Sequence, residues 1–158
     1  MKHLKITKMQ GSGNDFVAIE SGQALIVNRQ LITKMCDRKY GIGADGVLLL
    51  EKTNKADIRM RIYNADGSEA EMCGNGARCA ALWVSAKKKA QSARLKIETK
   101  VGILEAEVIE GNTVKIKLTD PQGLKFGIHV IVHGKDHEVD FINTGVPHAV
   151  VKVADLSR

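Results

Sequence analysis

AEMCGNGARCAALWVSAKKKA, residues 70–90, changes character at its glycines. After Gly76 the segment is rich in alanine, has no proline or further glycine, and ends in Lys87, Lys88 and Lys89. Alanine has the lowest intrinsic cost in a helix, and cations complement the negative end of the helix dipole. The pattern therefore predicts a helix that begins between Asn75 and Ala77 and runs to the lysines. The preceding interval, SEAEMCGNG (68–76), is too rich in turn formers to be regular. Cys73 is thus expected just ahead of a helix N-terminus.

Such a position has chemical consequences. A helix start presents N–H groups without intrahelical acceptors and the positive end of the dipole, and flanking glycines let an anion reach the backbone. A thiolate and a carboxylate are both stabilised there, and cysteine reactivity depends on thiolate character. Glu69 and Glu71 act in the opposite sense if they lie close, so spacing alone leaves the net effect on Cys73 open. The plain alternative is a glycine-rich turn that happens to contain a small residue.

Working outward, LKITKMQ (4–10) alternates as a strand, GSGND (11–15) forms a loop, and FVAIE (16–20) is a second strand. NRQLITKMCDRK (28–39) places Leu31, Ile32, Met35 and Cys36 on one helical stripe with Asn28 as N-cap, which makes Cys36 a core thiol. YGIGADGVLLLEK (40–52) runs from a glycine-rich bend into a buried strand, and ADIRMRIYNADG (56–67) alternates as its antiparallel neighbour. Three more alternating segments, at 94–102, 103–112 and 113–120, read as a meander, with Asp120–Gly123 as the strongest break. Beyond it, residues 127–145 read as a hairpin turning at Gly134, and PHAVVKV (147–153) as a strand.

The expected architecture is α+β, a mostly antiparallel sheet wrapped around a long central helix. Two domains are expected: residues 1–118, carrying Cys73, and residues 119–158, an incomplete start of a second one. A lone three-strand piece cannot bury both of its faces, so it is expected to lean on the first domain or on a missing partner.

Composition narrows the class of function. The 158 residues carry a formal net charge of +6, but the lysines are dispersed and aromatic residues make up only 4%. That argues against a nucleic-acid surface, which needs clustered cations and stacking platforms. No apolar run is long enough for a membrane span, and the start lacks the apolar middle of a signal peptide, so a cytoplasmic location is expected. Cys36, Cys73 and Cys79 match neither a disulfide framework nor a CxxC pair. His129, His133 and His137 have helical spacing but fall in a hairpin pattern interrupted by Gly134, so no metal site is expected.

Four blocks, MQGSGNDFV (9–17), GIGADG (41–46), YNADGSEAEMCGNGARC (63–79) and NTGVPHAV (143–150), in this order and at these separations, resemble those of diaminopimelate epimerase. The resemblance runs over essentially the whole chain. It implies an isomerase without a cofactor, which converts LL-diaminopimelate to the meso form for lysine and peptidoglycan biosynthesis. In that family one cysteine thiolate removes the α-proton and a second cysteine thiol returns one on the opposite face. By the family pattern Cys73 is one of the two. Gly74 and Asn75 then bind the substrate's carboxylate and amino end, Asn14 and Asn64 contact the substrate, and His148 matches a histidine that tunes the thiols. The residue-level alternatives are turn chemistry for the asparagines and a structural role for the histidine.

Three departures accompany the resemblance. Gly46 stands where some relatives carry glutamine, so any contact there is lost or made by backbone, and Val146 stands where many carry a substrate-binding asparagine. The block with the opposing cysteine is absent from these residues, and neither Cys36, on a core stripe, nor Cys79, about one and a half turns along the same helix, can replace it. The expectation is a chain lacking its C-terminal domain and inactive alone, with a homodimer left open. A non-catalytic amino-acid-binding or scaffold module, and a related racemase or isomerase of the same superfamily, are the competing readings.

Overall fold

The computed structural model describes residues 4–22, 28–89 and 93–155. The chain forms two compact units, Met1–Lys117 and Leu118–Arg158. In the first unit, β1 (Ile6–Gly11) and β2 (Asn14–Glu20) form a hairpin, followed by α1 (Arg29–Cys36), β3 (Gly46–Glu51), β4 (Ile58–Asn64) and the two-residue β5 (Glu69–Ala70). Then come α2 (Gly74–Lys87), β6 (Ala93–Thr99), β7 (Gly102–Ile109), a single 3-10 turn at Glu110–Asn112, and β8 (Thr113–Lys117). The strands make one sheet in the order β1-β2-β3-β4-β6-β7-β8, with β5 beside β4.

The α+β class is as expected, but the sheet is mixed. β2 pairs parallel with β3, and β4 pairs parallel with β6. Each parallel junction coincides with a helix in the connection, α1 in the first and α2 in the second. A hairpin can only return a strand antiparallel, whereas a helical crossover brings it back in the same direction.

The long central helix is not found. The two helices among the described residues have 8 and 14 residues, and α2 is an ordinary helix of about 21 Å. It also begins at Gly74, slightly earlier than expected, because Cys73 itself takes the N-cap position in extended conformation. Asn28 caps α1 as its side chain implied, its Oδ1 accepting the Leu31 N–H at 2.9 Å, though α1 ends at Cys36 rather than near Lys39. The GSGND loop contracts to a two-residue turn at Ser12 and Gly13, both with positive φ, so Asn14 and Asp15 belong to β2.

Cover on both faces explains why the runs 16–19 of β2 and 46–50 of β3 are buried throughout. Phe16, Ala18, Leu48 and Leu50 pack with Ala77, Ala80, Ala81 and Val84 of α2. The intervening Val17, Ile19, Val47 and Leu49 pack with Ile32, Met35 and Cys36 of α1. Successive side chains on a strand point to opposite faces, so the two helices cover opposite faces of these strands. The first turn of α2 approaches closely: a Cβ at Gly76 would lie 3.0 Å from Leu48 Cδ2 and 3.3 Å from Ile62 Cδ1.

The second unit is a three-stranded antiparallel sheet of β9 (Gln122–Val132), β10 (Lys135–Asn143) and β11 (Pro147–Val150), in the order β11-β10-β9. The expected hairpin turn falls at His133 and Gly134, both with positive φ. Phe126 and Ile131 are exposed on this sheet. No helix among the described residues is long and apolar enough to cross a membrane.

Leu48 is fully buried beneath the first turn of α2. Leu48→Ala is expected to lower the unfolding free energy by about 2–5 kcal/mol, read from the urea midpoint at unchanged m-value.

Candidate active site

The first residues of β2 and β3 and the last of β4 meet at one edge of the sheet. Phe16 pairs with Gly46 and Gly46 with Asn64, so Asn14, Gly46 and Asn64 mark the same end of three neighbouring strands. The β1–β2 turn carries the start of α2 against this end. A Cβ at Gly11 would lie 3.1 Å from the Asn75 carbonyl oxygen, which is why the close approach suits glycine there.

Cys73 is half-buried at that junction. Its Sγ accepts a hydrogen bond from the Gly76 N–H at 3.4 Å and lies 3.8 Å from Asn14 Oδ1, a long contact consistent with a thiol donating to a carbonyl oxygen. Asn75 Nδ2 donates to the same Asn14 oxygen at 3.3 Å. Ala77 N–H closes the first intrahelical bond onto the Cys73 carbonyl. Gly74 and Asn75 occupy the first turn of α2, where the backbone N–H groups have no acceptor within the helix.

Behind these residues stands a charged cluster to which the sequence reading assigned no role. Asp45 Oδ2 accepts from Asn14 Nδ2 at 2.8 Å and from the Asp15 N–H at 3.1 Å. Arg38 bridges the two carboxylates, reaching Asp15 Oδ1 at 2.8 Å and Asp45 Oδ1 at 2.7 Å, and Lys8 pairs with Asp15 at 2.7 Å. The Arg38 and Lys8 cations hold the Asp15 carboxyl well below the usual carboxylate range. Asp45 is also lowered, first by the Asn14 amide and then by the Asp15 N–H. On the α2 side, Arg78 donates to Asn75 Oδ1 and to Ser12 Oγ. The traces of this cluster in the sequence are an aspartate closing GIGAD (41–45) and an arginine one helical turn after Asn75, neither of which identifies its partner.

The structure thus brings Cys73, Gly74, Asn75 and Asn14 together. Asn64 shares the sheet edge, but its amide donates to Ser68 Oγ at 3.0 Å instead of joining the cluster. His148 is exposed on β11 of the second unit, opposite Ile142, and Val146 is exposed just before it. At Gly46 a Cβ would come within 2.5 Å of the Tyr63 carbonyl oxygen, so this strand pairing leaves no room for a side chain. Glu69 is engaged by Arg61 through two bonds of 2.8 and 3.0 Å, which neutralises one of the two acidic neighbours of the cysteine block.

Cys36 and Cys79 are both buried in the core. Burial raises the Cys36 thiol, and it pushes Cys79 up to about 11 against the opposing charge of Arg78. No cluster of three potential metal ligands occurs among the described residues. A cavity of about 560 Å³ lies on β6, β7 and β8, but its lining sets Arg94, Lys96, Lys115 and Lys117 opposite Glu105 and Glu107 in the strand register, and none of the Cys73 cluster lines it.

The family model described as diaminopimelate epimerase matches residues 6–123. A diaminopimelate epimerase of Methanocella arvoryzae is 43% identical over 99% of this chain and 61% of its own length. The chain belongs to the diaminopimelate epimerase family. A second member, from Caldanaerobacter subterraneus subsp. tengcongensis, is 38% identical over 98% of the chain, and again the chain spans only 62% of the relative. Among solved structures, a probable proline racemase from Agrobacterium radiobacter superposes with a TM-score of 0.77 at 14% identity, covering 99% of this chain and 54% of that one. A hydroxyproline epimerase from Agrobacterium vitis gives 0.75 at 16%, covering 98% and 53%. At such identities the likeness shows the fold of this chain and nothing further.

Two outcomes follow from the geometry. Sulfur is a weak acceptor, so Cys73→Ser is expected to improve the cap and raise the unfolding free energy by about 0.5–1 kcal/mol, whereas Cys73→Ala lowers it, both by urea denaturation. Asp15 and Asp45 have depressed native pKa values, so the stability they contribute is present above about pH 4 and lost as pH falls further. Asp15→Asn should flatten the acid limb of a melting-temperature profile.

Proposed function

We propose that this chain supplies one half of a two-base active site that epimerises LL-diaminopimelate to the meso form, with Cys73 as one acid/base thiol. The observation that carries this reading is the half-buried sulfur at the start of α2, between the Gly76 N–H and the Asn14 amide. In the forward step the Cys73 thiolate takes the α-proton, an S–H bond forms as the Cα–H bond breaks, and the electron pair is delocalised into the α-carboxylate. The N–H groups of Gly74 and Asn75 and the dipole of α2 stabilise the growing negative charge on that carboxylate. Asn14 and Asn75 orient the amino end, and Asn64 contacts the substrate from the same sheet edge.

A second group must then deliver a proton to the opposite face. Cys36 and Cys79 are buried and held as thiols, so neither serves. The counterpart comes from outside these 158 residues, and the second unit is the opening of the pseudo-symmetric domain that carries it, His148 tuning the thiols. The site needs no cofactor, since two thiols supply both proton transfers, and the enzyme works in the cytoplasm on a free amino acid.

Incubation of the 158-residue chain with LL-diaminopimelate in deuterated water tests both parts. The substrate is expected to slow iodoacetamide labelling of Cys73, and no meso product should accumulate. Labelling indifferent to millimolar substrate would remove the binding site from this junction. Conversion at an ordinary enzymatic rate of about 1–10³ s⁻¹ would show that no outside group is required.

A further inference from the structure

We infer that Asp45 and Arg78 are positioning residues that act from the two ends of one hydrogen-bond chain, fixing the amides of Asn14 and Asn75 and hence the atom that faces the Cys73 sulfur. The inference deepens the acid/base reading of Cys73 and rests on it only for its catalytic consequence.

The two ends of an asparagine amide are nearly identical in shape, so its orientation is decided by its partners. Here those partners leave one choice. Arg78 can only donate, and it donates to Asn75 Oδ1. Asn75 Nδ2 then donates to Asn14 Oδ1 at 3.3 Å, and Asn14 Nδ2 donates to Asp45 Oδ2 at 2.8 Å. Asp45, an ionised carboxylate, can only accept. Every link runs in the same direction, from a fixed cation to a fixed anion. Flipping either amide would set N–H against N–H at one junction and oxygen against oxygen at the next.

Both ends are anchored independently of the amides. Arg78 also holds Ser12 Oγ at 3.0 Å, while Asp45 receives the Arg38 guanidinium at 2.7 Å and the Asp15 N–H at 3.1 Å. The sulfur therefore lies between an acceptor on β2, Asn14 Oδ1, and a donor on α2, the Gly76 N–H. The acceptor favours the thiol and the donor favours the thiolate. Turning the Asn14 amide over would replace the acceptor by an NH₂ group, leaving the sulfur with donors on both sides.

Iodoacetamide labelling of the ligand-free 158-residue chain, followed by peptide mass spectrometry at fixed pH, reads this balance directly. Cys36 and Cys79 are buried and report any loosening of the fold in the same sample. Asp45→Ala, which leaves Asn14 no acceptor, and Arg78→Met, which leaves Asn75 no donor, are each expected to speed Cys73 labelling by about 3- to 10-fold with Cys36 and Cys79 still protected. Arg78→Lys, which keeps a donor at that end, should restore the original rate. Arg38→Gln, which removes a neighbouring charge but leaves Asp45 to accept from Asn14, should stay within about twofold. The double variant Asp45→Ala/Arg78→Met should fall short of the product of the single effects, because both act on the same pair of amides. An unchanged Cys73 rate in both single variants overturns the inference, and so does a parallel rise at all three cysteines. Should one variant fail to fold, the other reads the same chain from its opposite end. The labelling needs no substrate, so failure to bind or convert diaminopimelate leaves its outcome unaffected.

Discussion

Parallel pairing of β2 with β3, with both faces of the pair covered, is the constraint from which the rest of the first unit follows. Adjacent strands that run the same way need a crossover, and α1 provides it on one face. The other face, lined by Phe16, Ala18, Leu48 and Leu50, must also leave water, and α2 covers it. Because β2 and β3 begin at the same edge and β4 ends there, the sheet presents three strand ends together. The approach of α2 at Gly11 and Gly76 brings its N-terminus to that edge.

Charges then convert an edge into an oriented site. Two carboxylates, Asp15 and Asp45, and two cations, Lys8 and Arg38, neutralise one another beside the β1–β2 turn. Individually such exposed pairs stabilise little. Their value here lies in direction, since a carboxylate that can only accept decides which way a neighbouring amide points. A neutral cluster of the same shape would leave Asn14 free to present either end to the sulfur.

Local features were legible in the sequence, and non-local ones were not. The Asn28 cap, the buried Val47–Leu50 strand, the turn at Gly134 and the placement of Cys73 at a helix start each depend on a few adjacent residues. The parallel pairing of β2 with β3 depends on what α1 does between them, which alternation along each strand does not encode. The same limit hid the roles of Asp45 and Arg78: a charged residue in a loop or on a helix reads as solvated until the fold brings its partner near. Asn64 shows the converse: it ends β4 at the expected edge, yet its amide nitrogen donates to Ser68 instead of to the cluster around Cys73.

The cysteine at the head of α2 weakens the helix that carries it. Serine, threonine, aspartate or asparagine would cap the first turn better, by about 1 kcal/mol. The helix tolerates the poorer cap because its stability comes from its buried side. Ala77, Cys79, Ala80, Ala81 and Val84 are all buried, and most are small enough to let the backbone lie close to the sheet. Packing of this kind fixes the position of the first turn without needing a strong hydrogen bond at the cap. The N-cap position is thereby open to a side chain that caps poorly, and the core, not the cap, determines where the Cys73 sulfur lies.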